Sequence, residues 1–202
     1  MKIQSKWGSF LALAVGLSTQ ASAGIITTFT DSLSNADPTQ LGRLSRNNLP
    51  QDWAGSEPYP GAINLATSYF YTAYSINVGN APFVQLTFDD AGTSEFVSAY
   101  GGSYTAGSFA TNWLGDAGSS GNLAGNPAFF QVIVPLNGTL VVVVNNTTGN
   151  LTTNHAYTLT VEGFADANFD EPAATPEPAS AGLAVTALAA LFFFRRRRAL
   201  PR

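Results

Sequence analysis

The chain of 202 residues contains no cysteine and only one histidine. Without cysteine there is no disulfide framework, no thiolate metal site and no cysteine nucleophile. The single histidine, His155, excludes multi-histidine metal sites, and a serine–histidine–aspartate triad would depend on it alone. The Gly-x-Ser-x-Gly nucleophile elbow and the lysine-containing phosphate loop are also missing. The fold must therefore be stabilised by packing, and the sequence gives little support for hydrolytic or nucleotide-dependent chemistry.

Charged residues are scarce as well, at 11% of the chain against 45% apolar residues, with 19 glycines and 11 prolines. This balance favours short strands joined by turns over disorder or a charged helical protein. Between residues 24 and 178 the only basic residues are Arg43 and Arg46, while all 13 acidic residues lie there, which gives that part a net charge of −11. Such a segment repels nucleic acid, so we expect no nucleic acid among its partners.

Apolar residues in the body of the chain alternate with a period of two, which is typical of strands with one buried face. The pattern predicts strands over residues 68–78, 84–88, 96–100, 129–134, 140–144 and 155–162. The run 140–144 is apolar on both faces and predicts a central strand. Residues 35–61 lack the alternation and predict a long loop or an early edge. We therefore predict an all-β domain over residues 24–164, an antiparallel β-sandwich or jelly roll.

The N-terminus has the layout of a secretory signal peptide. Lys2 and Lys6 are followed by an apolar run over residues 10–17 and then by Ala21, Ser22 and Ala23. Small residues at Ala21 and Ala23 fit the subsites of signal peptidase, which predicts cleavage after Ala23. We expect residues 1–23 to form a signal helix that directs export.

The C-terminus combines three segments in a fixed order. Pro176, Glu177 and Pro178 precede an apolar run over residues 179–194, and four arginines follow it. A helix over the apolar run would be about 24 Å long, against about 30 Å for a hydrocarbon core, so it predicts a marginal transmembrane helix. The arginines stop transfer and stay cytoplasmic, as they would in an ordinary single-pass anchor. They are Arg195, Arg196, Arg197 and Arg198.

This order of Pro-Glu-Pro, short apolar helix and terminal arginine cluster resembles the PEP-CTERM sorting domain of Gram-negative bacteria. The resemblance covers residues 174–202, preceded by a linker rich in acidic residues, proline and alanine over residues 165–175. It implies that an exosortase, a membrane protease-transpeptidase, recognises the tail, and that the protein belongs to the envelope, extracellular polysaccharide or biofilm matrix. On this resemblance Pro176 to Pro178 and the arginines over residues 195–198 are recognition residues that perform no chemistry.

The body carries a second resemblance. Five segments follow one another in an order similar to that of pre-peptidase C-terminal domains of bacterial surface proteins. They are Leu41-Gly42-Arg43-Leu44-Ser45-Arg46, Tyr59-Pro60-Gly61, Ala99-Tyr100 with Gly102-Ser103-Tyr104, Trp113-Leu114-Gly115-Asp116, and Tyr157-Thr158-Leu159-Thr160-Val161. Those domains are non-catalytic jelly-roll accessories. The resemblance implies a fold and an extracellular location, and no particular ligand.

Two groups of residues are candidates for binding. Four carboxylates, Asp89, Asp90, Glu95 and Asp116, lie in predicted loops and could hold Ca²⁺ as a cofactor, or could simply form turns. The same carboxylates would serve a glycosidase only at a specific separation in a cleft. Tyr100, Tyr104 and Trp113 could stack on sugar rings, or could pack in the core. His155 is interpreted as an exposed polar residue at a strand end.

Three hypotheses follow. The first is a non-catalytic cell-envelope or matrix protein, exported through the inner membrane and transiently held by its C-terminal helix. Its partners are signal peptidase, an exosortase and the inner membrane. The second is a carbohydrate-binding or calcium-dependent adhesion module on the same route, with extracellular polysaccharide as the partner. The third, an exported hydrolase, has the least support because the polar groups that such chemistry requires are nearly absent.

Overall fold

The computed structural model describes residues 24–90, 92, 94–121 and 127–165. These residues form nine strands and no helix. The strands are β1 (Gly24–Leu33), β2 (Thr39–Leu44), β3 (Ala62–Asn77), β4 (Phe83–Asp89), β5 (Phe96–Gly101), β6 (Trp113–Asp116), β7 (Ala128–Ile133), β8 (Thr139–Asn145) and β9 (His155–Phe164). The predicted signal peptide, the sorting tail and all but the first residue of the predicted linker lie outside the described residues. No helix within those ranges has the length and apolar character needed to cross a membrane.

The strands form two sheets in which every neighbouring pair is antiparallel. The first sheet has the order β1-β9-β4-β7 and the second has the order β2-β3-β8-β5-β6. Only the β2–β3 and β5–β6 connections join neighbours within one sheet, and every other connection crosses between the sheets. The prediction of an all-β antiparallel sandwich is confirmed for the described residues.

The main core lies between the two sheets and follows the period-two pattern of the sequence. Val84, Leu86 and Phe88 of β4 are fully buried, and they share one cluster with Leu140, Val142 and Val144 of β8. Each such side chain contributes about 1.5 to 3 kcal/mol when it is fully removed from water. Strand β8 lies third of five in its sheet, and Val141 and Val143 on its other face are also buried, so the prediction of a central strand is confirmed.

A second apolar layer covers the outer face of the five-stranded sheet. Tyr100, Val141 and Val143 form one small cluster there, against which Tyr71, Tyr104 and Trp113 pack. Leu44, Phe96 and Phe109 form another. This sheet is therefore buried on both faces near β5 and β8, which explains why β5 is buried at every position from Phe96 to Tyr100.

The open side of the sandwich between β6 and β7 is closed by residues 48–51, here called the bridging segment. Asn48 N donates to Gly118 O (3.0 Å) and Gln51 N donates to Asp116 O (3.0 Å), while Gln131 N of β7 donates to Gln51 O (2.8 Å). The segment thus hydrogen-bonds to both sheets at their edges. Residues 35–61, predicted as a long loop or an early edge, contain both an edge strand, β2, and this connection.

Two strands, β1 and β6, were not expected from the sequence. β6 has only four residues, and β1 is exposed or half-buried at all positions except Leu33, so neither shows a clear alternation. β1 pairs with β9 over its whole length, with Gly24 opposite Gly163 and Leu33 opposite His155. The chain therefore enters and leaves the described domain at one end of the sandwich, here called the terminal end. The turn that joins β7 to β8 lies at this end too, because Val134 N donates to Pro82 O (2.7 Å) just before β4.

Candidate functional site

The three aromatic residues predicted as a sugar-binding platform occupy different environments. Tyr100 is only 1% exposed. Tyr104 covers it with a ring separation of 4.6 Å, and Tyr71 packs edge-on against Tyr104 at 5.8 Å. The Tyr104 hydroxyl donates a hydrogen bond to Gln40 Oε1. Burial raises the pKa of both Tyr100 and Tyr104 above the ordinary range, so both remain neutral phenols. Both rings belong to the outer layer of the sheet, where Tyr100 is buried and Tyr104 is half-buried.

Trp113, by contrast, borders open space. It is half-buried at the start of β6, with Tyr59 packed edge-on against it at 5.6 Å. It lines a depression of about 400 Å³, here called the Trp113 depression. The other lining residues are Gly101, Gly102, Asn112, Leu114, Pro135, Gly138 and Thr139. Because Pro135 and Gly138 belong to the β7–β8 turn, the depression lies at the terminal end. It combines apolar walls with a few polar groups, the usual make-up of a small-molecule site.

Asp116 is a buried carboxylate whose pKa is shifted from its ordinary value. It is 2% exposed, and its Oδ1 atom accepts a hydrogen bond from Gly118 N (2.8 Å). Burial raises the pKa of Asp116 to about 6, although the Gly118 N–H and the nearby Trp113 indole oppose the rise. Asp116 Oδ2 and Trp113 Nε1 are both buried without completing a hydrogen bond. The carboxylate is thus destabilised by burial, and it does not line the Trp113 depression.

The four carboxylates predicted to bind Ca²⁺ are not assembled into a metal site. Asp89 ends β4 in the four-stranded sheet, whereas Asp116 ends β6 in the five-stranded sheet. Asp90 is buried and forms a turn, because its carboxylate accepts hydrogen bonds from Gly92 N and Glu95 N, both at 2.8 Å. Over the described ranges, no three histidine or acidic side chains lie together in a way that could hold a metal ion.

His155 and Glu95 form a pair that the sequence did not indicate. His155 Nδ1 contacts Glu95 Oε1, with 17% of the histidine side chain and 1% of the glutamate side chain exposed. His155 does begin β9, as expected for a strand-end residue, but its ring faces a buried carboxylate, so the interpretation as a simply exposed side chain is wrong. The two residues are far apart in the sequence, and no local pattern signals their contact.

The two basic residues of the body also have specific places that the sequence analysis did not assign. Arg43 is 7% exposed, donates from Nη1 to Leu44 O (2.9 Å) and lies over the Tyr69 ring at 5.8 Å. Arg46 donates from Nη1 to Ser120 Oγ (2.6 Å). The scarcity of arginine in this part of the sequence was the one available sign that these two side chains have a structural role. An arginine can pack its apolar stem against the protein while its guanidinium group donates hydrogen bonds to it.

Several predictions of site residues fall outside the described part of the chain. These are Ala21 and Ala23 at the signal cleavage site and the sorting residues over 176–178 and 195–198. Comparisons with protein-family models, with curated proteins and with solved structures find no match to this chain. The two family resemblances therefore stay predictions from the sequence.

Proposed function

We propose that this chain is an exported, non-catalytic protein of the cell envelope or extracellular matrix, sorted by an exosortase system. The observation that carries the proposal is the C-terminal order of Pro176-Glu177-Pro178, an apolar run and four arginines. A plain stop-transfer segment requires the apolar run and the positive charges but not the prolines. The Pro-Glu-Pro motif therefore favours a tail that a protease recognises and cleaves over a tail that serves only as a membrane anchor.

In this proposal both ends of the chain are helices that direct transport. Signal peptidase removes residues 1–23 after Ala23, and residues 179–194 enter the inner membrane with the arginines in the cytoplasm. The domain then stands outside the cytoplasm until the exosortase acts near Pro178. The final location is the cell surface or the extracellular matrix.

The position of the domain ends supports this arrangement. Gly24 lies opposite Gly163 at the terminal end of the sandwich. A signal peptide joined before Gly24 and a linker beginning at Ala165 would thus both leave from the same end.

The finer fold that we propose is a jelly roll with one added strand. The orders β1-β9-β4-β7 and β3-β8-β5-β6 interleave as they do in the two sheets of an eight-stranded jelly roll, and β2 extends the second sheet at its edge. This topology is the one implied by the resemblance to pre-peptidase C-terminal domains. It supports an accessory role, as does the engagement of His155 with Glu95 inside the fold.

The intact mass of the protein recovered from cells tests the sorting proposal. We expect a species that begins at Gly24 and ends near Pro178. A variant with Pro176→Ala and Glu177→Ala should keep its C-terminal arginines and remain in the inner membrane, while the matched linker variant Pro172→Ala should be processed normally. A wild-type protein that retains its arginines is a simple inner-membrane anchor, and a full-length protein in the cytosol overturns export as well.

One observation favours a second candidate, a carbohydrate-binding module. The Trp113 depression places an indole beside the polar side chains of Asn112 and Thr139. Aromatic rings stack on the apolar faces of sugars while polar groups bind the hydroxyls. In this candidate Trp113 supplies the contact surface, and Tyr100 and Tyr104 support the sheet beneath it.

A polysaccharide array with the purified protein tests the second candidate. We expect binding that weakens at least about tenfold in Trp113→Ala and also in Thr139→Val. Leu136→Ala is the matched control, because Leu136 is 63% exposed on the same turn and does not line the depression. If all three variants bind the polysaccharide equally well, the binding site lies on another surface and not in the Trp113 depression.

A further inference from the structure

The sandwich has four edge strands, and the structure treats them differently. β6 and β7 are both covered by the bridging segment, which hydrogen-bonds to Asp116 O and to Gln131 N. β2 is short, and its register shifts between Leu41 and Arg43. Covering, shortening and irregular register are the usual ways in which proteins prevent sheet edges from pairing with other chains. Three of the four edges are protected in one of these ways.

β1 is the exception. It is ten residues long, from Gly24 to Leu33, and pairs with β9 on one side. Among the described residues, its other side makes no backbone hydrogen bond to another strand, turn or loop. A register shift between Ile25 and Thr27 interrupts only its first residues, and Ser32 N already donates to Asp31 Oδ1 (2.8 Å), so the regular free edge runs from Thr27 to Asp31. This stretch contains no proline and no lysine, the residues that most often block such an edge.

We propose that β1 pairs with β1 of a second copy of this chain in an antiparallel arrangement. The two four-stranded sheets would then join into one continuous eight-stranded sheet. Backbone N–H and C=O groups that now face solvent would bond to each other, the mode of recognition known as strand addition. A two-fold axis would cross the β1–β1 junction, as in most homodimers.

Charge favours a second copy at this edge over other parts of the surface. The body of the chain carries two arginines against 13 acidic residues, so two copies repel each other over most approaches. Thr27 to Asp31 carries a single carboxylate, that of Asp31, which accepts a hydrogen bond from the Tyr74 hydroxyl (2.7 Å). The free edge is therefore a place where two acidic domains can approach with little repulsion.

The residues of β1 also restrict the register. Thr28 and Thr30 are exposed on the outer face of the sheet, opposite Thr160 and Thr158 of β9. Pairing that places Asp31 opposite its own copy is unfavourable, because like charges directly across a strand pair repel. Registers centred near Thr28 to Thr30 instead place uncharged residues opposite each other, and threonine pairs across strands are stabilising.

Antiparallel pairing has a consequence that rests on the proposed function. Because the two β1 strands run in opposite directions, the terminal ends of the two copies would lie at opposite ends of the dimer. Released copies, or copies held on facing surfaces, can approach each other in this orientation. The proposed pairing would therefore link matrix components or neighbouring cells.

Disulfide cross-linking tests the pairing directly, because the wild-type chain has no cysteine. Single variants Thr28→Cys, Thr30→Cys and Ser32→Cys of the full chain, dispersed in mild detergent, are oxidised alone and in pairwise mixtures. We expect a covalent dimer from the residues that face each other across the axis, since Cα atoms of paired antiparallel residues lie about 4.5 to 5.5 Å apart.

Thr160→Cys is the matched control. Thr160 lies on the same face but one strand further in, so the two copies of this residue would be three strand spacings apart, about 14 Å. That distance is beyond the reach of a disulfide. The absence of a dimer from every edge variant and mixture, or equal cross-linking of Thr160→Cys, would overturn the proposal. If the C-terminal tails alone held two copies together, the yield of covalent dimer would not depend on which residue of β1 carries the cysteine.

Sedimentation velocity gives an independent test. The double variant Thr28→Lys and Thr30→Lys places added charges along the free edge, where they should raise the dimer dissociation constant about tenfold or more. The control Thr158→Lys and Thr160→Lys adds the same charge on β9 and should leave the constant unchanged. A wild-type protein that stays monomeric at every concentration refutes the pairing. Failure of exosortase sorting would not alter either measurement, so the two proposals are judged separately.

Discussion

His155 Nδ1 contacts Glu95 Oε1 at the end of the sandwich opposite the terminal end, where Gly24 and Gly163 lie. His155 begins β9 in the four-stranded sheet, and Glu95 immediately precedes β5 in the five-stranded sheet. The contact therefore joins the two sheets, and it involves the only histidine of the chain. A buried carboxylate requires a partner to offset the loss of its hydration, so the pair has a structural function.

We predict that His155→Ala lowers the free energy of unfolding by about 3 kcal/mol, because it removes the ring from a carboxylate that stays buried. Chemical denaturation of the wild type and the variant at neutral pH measures the loss. Asn154→Ala is the control, since Asn154 is the exposed neighbour in the sequence. A loss for His155→Ala no larger than that of the control would show that Glu95 is stabilised without the histidine.

Asp116 should make stability depend on pH in an unusual direction. Because burial raises its pKa from the ordinary value of 3.8 to about 6, the folded protein binds this proton more tightly than the unfolded chain does. The contribution of Asp116 to the free energy of unfolding therefore falls as the pH rises through this interval and is least favourable above about pH 6. The size of the effect is about 2 to 3 kcal/mol.

Asp116→Asn removes this titration. Relative to the wild type, the variant should gain stability between about pH 4 and pH 7, as measured by urea unfolding at a series of pH values. Asp52→Asn, an exposed carboxylate near the bridging segment, provides the comparison for a general change in charge. If the difference between wild type and Asp116→Asn does not change with pH, Asp116 is already ionised throughout the interval.

Much of the sandwich could be predicted from the sequence because the period-two pattern is local. The alternation of Val84, Leu86 and Phe88 with Gln85 and Thr87 identifies β4, and the same reasoning identifies β3, β7 and β9, whereas β5 and β8 were predicted from short runs rich in apolar residues. β1 escaped prediction because its edge position leaves nearly every residue at least partly exposed. Alternation of apolar and polar residues predicts a strand with one buried face, so it does not detect a strand in which neither face is fully buried.

The candidate site was less predictable because it depends on contacts between distant residues. Tyr100, Tyr104 and Trp113 were singled out as possible sugar-stacking residues, and Tyr104 and Trp113 pack on the cluster that contains Tyr100. Which of them borders open space depends on the fold of the β7–β8 turn beside Trp113. The surroundings of the four carboxylates were hard to predict for a similar reason. Sequence proximity placed Asp90 near Glu95, but the turn between them uses the Asp90 oxygens.

The bridging segment predicts a severe effect of Gly118→Ala. Gly118 has φ of +66°, and an added Cβ would lie 2.5 to 2.8 Å from the backbone N, C and O atoms of Leu49. The backbone of Leu49 must move, which would weaken the nearby hydrogen bond from Asn48 N to Gly118 O. We expect a loss of about 3 kcal/mol or more, the sum of a strained φ and an overpacked contact.

Gly55→Ala separates the two causes. Gly55 has nearly the same φ, +64°, but open space around the added Cβ, so it should lose only about 1 to 2 kcal/mol. Thermal or denaturant unfolding of both variants gives the comparison. Similar losses in the two would mean that the bridging segment shifts without cost and does not close the sandwich firmly.

A chain of hydrogen bonds through Asp31 of β1, Tyr74 of β3 and Tyr157 of β9 connects the four-stranded sheet to the five-stranded sheet. Substitutions along this chain should therefore lower the stability by different amounts. The Tyr74 hydroxyl donates to Asp31 Oδ2 (2.7 Å) and lies 2.5 Å from the Tyr157 hydroxyl, and its ring stacks on Phe29 at 4.1 Å. Tyr74→Phe keeps the stacking but removes both hydrogen bonds, so it should cost about 1 to 3 kcal/mol.

Tyr157→Phe removes the contact between the two hydroxyls and the interaction of the Tyr157 hydroxyl with Thr72, but it leaves Tyr74 bound to Asp31, so we expect a cost of about 1 kcal/mol. The double variant should cost less than the sum of the two single variants, because both remove the same contact. Unfolding free energies of the four proteins complete the cycle. Strict additivity would show that the hydroxyls act independently and that Asp31, and with it the middle of β1, is held by other contacts.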